Sequence, residues 1–220
     1  MDEARPMRRV IYIPIVHTPA DMGSQAGAIE REHIRRHGQG EWARTRRLVE
    51  EVWDGLRKRF LALDLDYRRV RIYQDGLPVC GREMDIVREV AQGGSRNYAL
   101  ILELLERGAI LEGTESPELL REEYERIQRV VQEVSGPQGQ VRTGRAADQG
   151  RETDARESER ILDQRDAFIG RRIDESLKEG EVGVLFIGLM HRADRCLPPD
   201  VEVQYLIHRL PFEGIPGGRR

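Results

Sequence analysis

The chain has 220 residues, with 36 lysines and arginines against 39 aspartates and glutamates and a net charge of −3. That length supports one sizeable core, and the near-neutral balance argues against a general binder of nucleic acid or membrane surfaces. Cys80 and Cys196 build neither a disulfide framework nor a zinc knuckle, no apolar run is long enough to span a bilayer, and MDEARPMRRV lacks a signal-peptide core, so a cytoplasmic protein in a reducing compartment is expected.

In chain order, VIYIPIV (10–16) reads as the first strand. Val49, Val52, Trp53, Leu56, Phe60 and Leu63 recur at helical spacing, with Trp42 and Trp53 assigned to the core. VRIYQ (70–74) is a second strand, and GGSRNY (93–98) steps into a helix with Ser95 as its cap. AIL (109–111) is a short third strand. Ser116-Pro117-Glu118 opens a helix carrying Leu120, Tyr124, Ile127, Val131 and Val134 on one face. Residues 136–157 have few apolar side chains and read as a mobile polar loop, its later part grading into the exposed start of the next helix. That helix carries Leu162, Ile169, Ile173 and Leu177 and ends at Gly180. VGVLFIGLM (182–190) is the strongest strand, VEVQYLIHRL (201–210) the last, and 212–220 a fraying tail. Short, continuously apolar strands alternating with helices predict a single α/β domain over 1–220, a mostly parallel central sheet flanked by helices.

In open α/β sheets, ligands bind outside the carboxyl ends of the strands. The strands deliver there His17 and Asp21, then Asp75, then Glu112 and Glu115, then His191 and Asp194, with His208 near the end of the last. A single histidine or acid at a strand tip is commonly a hydrogen-bonded surface group. Two histidines with two or three carboxylates converging on one rim suit two kinds of chemistry. They could ligate a divalent metal, manganese, iron or zinc, or a histidine could act as base with a carboxylate orienting it. Which of Glu112 and Glu115 faces inward depends on where a short strand ends. On the helix before the fourth strand, Asp166 falls on the apolar stripe, with Arg165 and Arg172 seven residues apart beside it. These charges form an ion-pair lattice or hold an anionic group of a substrate. Cys80 reads as a half-buried thiol rather than a nucleophile.

RDAFIGRRIDESLKEGEVGVLFIGLMH (165–191) resembles the closing segment of the erythromycin-esterase, ChaN and TraB/TIKI superfamily: Arg-Asp, a helix, a glycine, an apolar strand, then Gly-x-x-His at Gly188-Leu189-Met190-His191. IPIVHT is similar to that family's first histidine strand, with Pro14 where a glycine is usual, and YQDG to its second strand, with Asp75 where a glutamate is usual. Members include an antibiotic-lactone esterase, haem-associated lipoproteins and metal-dependent peptidases. The resemblance implies His17, Asp75, Arg165 and His191 as the core set.

Taken together, the residues point to a hydrolase of esterase or peptidase type acting on a small molecule or peptide. His17, His191, Asp75, Glu115 and Arg165 are its catalytic candidates, and Arg172, Asp166 and Asp21 its substrate contacts. If a metal binds, its ligands are His17, His191 and Asp75. The rival reading is a non-catalytic protein that binds a metal, haem or small ligand. A third is purely structural, with polar tips capping strands and charged helix faces compatible with a homodimer.

Overall fold

The computed structural model describes residues 8–16, 20–21, 26–135 and 145–208. Among these residues, five strands form one sheet: β1 (Arg8–Ile15), β2 (Val70–Gln74), β3 (Ile110–Leu111), β4 (Val182–Gly188) and β5 (Val201–Tyr205). Their order is β3-β2-β4-β1-β5 and every pairing is parallel. Among the described residues, six α-helices accompany them: α1 (Ala26–His37), α2 (Gln39–Leu61), α3 (Glu83–Gln92), α4 (Arg96–Glu106), α5 (Pro117–Ser135) and α6 (Arg145–Ser176). The protein is an α/β fold, as the alternation of elements predicts.

The continuous apolar strands are explained by a sheet covered on both faces. Ile11, Ile13 and Ile15 of β1, Ile72 and Phe186 point to one face, where Trp53, Leu56 and Phe60 of α2, Val87 of α3 and Tyr98, Ile101 and Leu104 of α4 cover them. The alternate residues Val10, Tyr12, Tyr73, Leu185 and Ile187 point to the other, against Ile169 and Ile173 of α6 and Leu177 just beyond it. Period-two alternation thus divides each strand between two cores. The predicted caps are present. Ser95 accepts from the Tyr98 N–H at 3.2 Å, and Ser116 accepts from the Leu119 N–H at 3.3 Å, ahead of Pro117 at the first turn of α5.

Several boundaries differ from the sequence reading. β4 ends at Gly188 rather than Met190. The His191 N–H turns back to the Gly188 carbonyl at 3.1 Å, leaving Leu189 and Met190 exposed. β5 likewise stops at Tyr205. The stretch expected to be a polar loop over 136–157 is helical from Arg145 onward, while 136–144 and the tail 212–220 lie outside the described residues. Ion pairs link this part of α6 to α5: Arg126 to Asp154 at 2.7 Å, Arg129 to Glu157 at 2.9 Å, and Arg160 to Glu122. Apolar periodicity is blind to a helix face satisfied by charge.

β4 lies between β1 and β2, so the carboxyl ends of three strands stand side by side. Ile15 pairs with Gly188, and Gln74 with Phe186. Beside this rim the short 3-10 turn Ala193–Cys196 packs closely on α6. A Cβ built on Gly170 would stand 2.5 Å from the Cys196 carbonyl oxygen, so the helix approaches only because this residue is glycine. Gly170→Ala is therefore expected to lower unfolding stability by about 1–3 kcal/mol in urea titrations. Gly40→Ala in the first turn of α2, where nothing lies within 4 Å of the new methyl, should leave stability unchanged or raise it by up to about 1 kcal/mol.

Candidate active site

Arg165, on α6, points across the rim with its side chain 6% exposed. Its Nε donates to Glu115 Oε2 at 3.1 Å, and its Nη2 donates to Glu115 Oε1 at 2.6 Å and to Asp75 Oδ1 at 2.7 Å. Nη1 pairs with Glu123 of α5. One guanidinium thereby holds together the end of β2, the segment after β3, and two helices. Burial works against its charge, but the hydrogen bonds and charges of Glu115, Asp75 and Glu123 outweigh burial and keep its pKa above the ordinary value.

Asp75 follows the last residue of β2. Its Oδ2 accepts the Gly188 N–H at 2.8 Å, which ties the tips of β2 and β4 together, and lies 3.5 Å from His191 Nε2. The other imidazole nitrogen, Nδ1, is 2.6 Å from Asp166 Oδ1, and Asp166 Oδ2 accepts the Arg192 N–H at 2.7 Å. Asp166 therefore fixes the ring plane while Nε2 faces Asp75 at a distance too long for a good hydrogen bond. Tyr12 of β1 donates to the His191 carbonyl at 3.4 Å from the face beneath. Burial disfavours the imidazolium, yet the Asp166 hydrogen bond and the Asp75 charge prevail and raise the His191 pKa above 6.5. Glu115 is fully buried, and burial raises its pKa, with Arg165 opposing.

A second layer holds the acids in place. The Asp75 backbone carbonyl accepts from Gln74 Nε2 at 2.9 Å, and Gln74 Oε1 accepts from Asn97 Nδ2 at 2.8 Å. Thr114 Oγ1 accepts the Gln74 N–H at 2.9 Å, and Glu115 accepts the Gly76 N–H at 3.3 Å. All of these side chains are buried.

The rim thus brings together Asp75, Glu115, Arg165, Asp166 and His191. Glu115 rather than Glu112 faces it; Glu112 instead pairs with Arg71, and Arg172 Nη2 lies 3.6 Å from it. Arg172 stands outside the cluster, donating to the Gly113 carbonyl at 3.2 Å and pairing with Glu175, because the pitch from Arg165 carries it two turns along α6 toward the other end of the sheet. Asp21 accepts from Ser95 at the start of α4 and is not among the groups bonded to Arg165 or His191 in the described contacts. Asp194 accepts from Tyr205 at 2.8 Å, and His208 packs against Gly55 of α2. His17 lies outside the described residues. Cys80 and Cys196 are exposed. Glu123 was not a sequence candidate, although it sits on the apolar stripe three residues after Leu120 and four before Ile127. A charge on a buried stripe is the signal that marks it. Tyr12 carries no such mark.

Asp75, Glu115 and His191 each offer a ligand atom within 4.8 Å of the others and could hold a metal ion. The donor set fits in part. His191 Nε2 has no close hydrogen bond, but both Glu115 oxygens and one Asp75 oxygen already accept from Arg165. The guanidinium supplies the positive charge that an ion would bring, so a metal would have to draw these carboxylates away from it.

Comparison of the chain with family models, with curated proteins and with solved structures found no match. No helix among the described residues is long and apolar enough to cross a membrane.

Arg165→Leu leaves buried carboxylates without their counter-charge and should cost about 3–5 kcal/mol of stability at pH 8. Without Arg165 the acids are easier to protonate, so the gap from wild type should narrow at pH 5. Urea titrations of both proteins at the two pH values measure this.

Proposed function

We propose that the protein is a hydrolase that uses His191 as general base on a water molecule, acting on an ester or amide of a small molecule or peptide. The Asp166–His191–Asp75 line carries this reading: one carboxylate orients the imidazole at 2.6 Å, and the opposite nitrogen is left without a close partner, facing a second carboxylate 3.5 Å away. Asp75 would hold the water against Nε2 and stabilise the imidazolium that forms. The imidazolium at His191 would then give that proton to the leaving group, while Glu115, ion-paired to Arg165, would hold the guanidinium in place. Arg165 would act as a positioning residue, since its donors are already directed to Asp75, Glu115 and Glu123. The resemblance of residues 165–191 to the erythromycin-esterase, ChaN and TraB/TIKI superfamily supports the same class, and that resemblance adds His17 as a further candidate.

The base must be neutral to accept a proton. The Asp166 hydrogen bond and the Asp75 charge outweigh burial and raise the His191 pKa, so hydrolysis in a screen of nitrophenyl esters and peptide amides should rise with pH through an inflection above the ordinary imidazole range. His191→Asn and Asp166→Asn should each lower kcat by about 100-fold or more. In Asp166→Asn the inflection should also move to lower pH, because the hydrogen bond that holds the proton is weakened. An unchanged rate in His191→Asn would sink the proposal.

A second reading, favoured by the three ligand atoms within 4.8 Å, is that Asp75, Glu115 and His191 hold manganese, iron or zinc. When bound, such an ion would activate water at neutral pH. Elemental analysis of the purified protein would then find about one metal equivalent, lost in His191→Ala. Full activity after exhaustive chelation, with no metal in either form, would leave the metal-free chemistry.

A further inference from the structure

A concavity opens on the same rim, on the α2–α4 side of the sheet. It encloses about 330 Å³ and is lined by α1, α2 and the Gly93-Gly94 step into α4. That volume lies within the range of small-ligand pockets. Its place follows from the topology. α2 leads into β2 and α4 into β3, and both strands are parallel to the rest, so both helices begin at the carboxyl rim. Val49 of this cavity also borders Ile15 and Val16 at the end of β1. Beside the cavity's Ala20, Asp21 accepts from Ser95. Tyr98, one turn along α4, lies buried in the core on this side of the sheet.

Three features of the wall describe its occupant. Trp42 presents a largely buried indole whose N–H is fixed on Glu30 at 2.9 Å, giving a rigid aromatic surface beside Val49. A flat ring stacks on such a surface at small entropic cost. Gly94 has φ +94°, with nothing within 4 Å of the space a side chain would enter, so backbone rather than side chain borders the cavity there. The third feature is charge. Glu30 is turned to the indole, and Arg46 lies 3.7 Å from Glu50. The Arg96 side chain makes no hydrogen bond or ion pair among the described residues, though it borders this cavity and a smaller one of about 120 Å³ beside it. It stands at the first position of α4, where the helix dipole disfavours a cation. Helix stability therefore does not account for it, and its guanidinium stands open to an anionic ligand.

We propose that this cavity is a recognition pocket for a ring-bearing carboxylate, with the ring on Trp42 and the carboxylate on Arg96. That the ligand is part of the substrate rests on the hydrolase reading; that the pocket binds it does not.

The test is a titration of the whole chain with 2-naphthoate and its neutral counterpart 2-naphthamide, followed by the Trp42 indole N–H resonance, assigned with Trp42→Phe. Naphthoate should shift that resonance saturably at micromolar to low-millimolar concentration (roughly). Arg96→Gln, a change on an exposed first-turn residue, should weaken naphthoate about tenfold and leave naphthamide unaffected. Thr45→Tyr, which fills the cavity from α2, should abolish both shifts. His191→Asn should bind naphthoate like wild type. Retained binding there, with no ester turned over by the wild-type chain, would count against the hydrolase reading while supporting the pocket. No saturable shift, equal affinity for the two probes, or indifference to Arg96→Gln would overturn the proposal.

Discussion

The buried guanidinium of Arg165 is the group on which the rest of the rim depends. It stands among Asp75, Glu115 and Glu123, which come from three different parts of the chain. Each of those carboxylates would be costly to bury alone, and Asp75 and Glu115 would repel each other without a cation between them. The arginine is thus both a strut and a counter-ion. It fixes α6 against the tips of β2 and the segment after β3, and it allows acids to stand in a water-poor place. Such an arrangement stabilises less than its count of ion pairs suggests, because desolvation offsets much of the Coulomb gain. What it secures is position.

Position is what the neighbouring histidine needs. Asp166 adjoins Arg165 on α6, so the helix that carries the counter-ion also carries the group that orients His191. The glycine at the end of β4 gives its N–H to Asp75, and three residues later the chain delivers the imidazole. Two strand tips, one helix and one turn are locked by the same few hydrogen bonds. A fault at Arg165 would therefore disturb both the packing and the presentation of the histidine. The apolar side chains Leu189 and Met190, exposed between Gly188 and His191, are left at the lip of the site by the same turn.

The sheet was legible in the sequence because its evidence is local. Runs such as VIYIPIV and VGVLFIGLM need neighbours on both faces, and only a sheet layered between helices provides them. The caps Ser95 and Ser116 were legible for the same reason: each satisfies backbone groups within three residues of itself. The early part of α6 was not legible, since it has few apolar residues and its pairs to α5, such as Arg126–Asp154 and Arg129–Glu157, join residues far apart in sequence. The end of β4 was misjudged because Leu189 and Met190 are apolar yet exposed, and a hydropathy pattern cannot tell a strand's last residue from the lip of a turn.

The site was legible in part. Strand-end logic places Asp75, Glu115 and His191 on one rim, because parallel strands present all their carboxyl ends together. The position of Asp166 on an apolar stripe marks it as a charge in need of a partner. By itself, then, the sequence determines the layered α/β class, the rim and the residue types delivered to it. Only the tertiary structure decides that β4 inserts between β1 and β2, that Glu115 and not Glu112 turns inward, that Arg165 and not Arg172 meets the acids, and that Trp42 walls a cavity beside them. Those choices depend on strand order, on helix rotation and on contacts between residues 40 to 113 positions apart. Local propensity and periodicity carry no information over such distances.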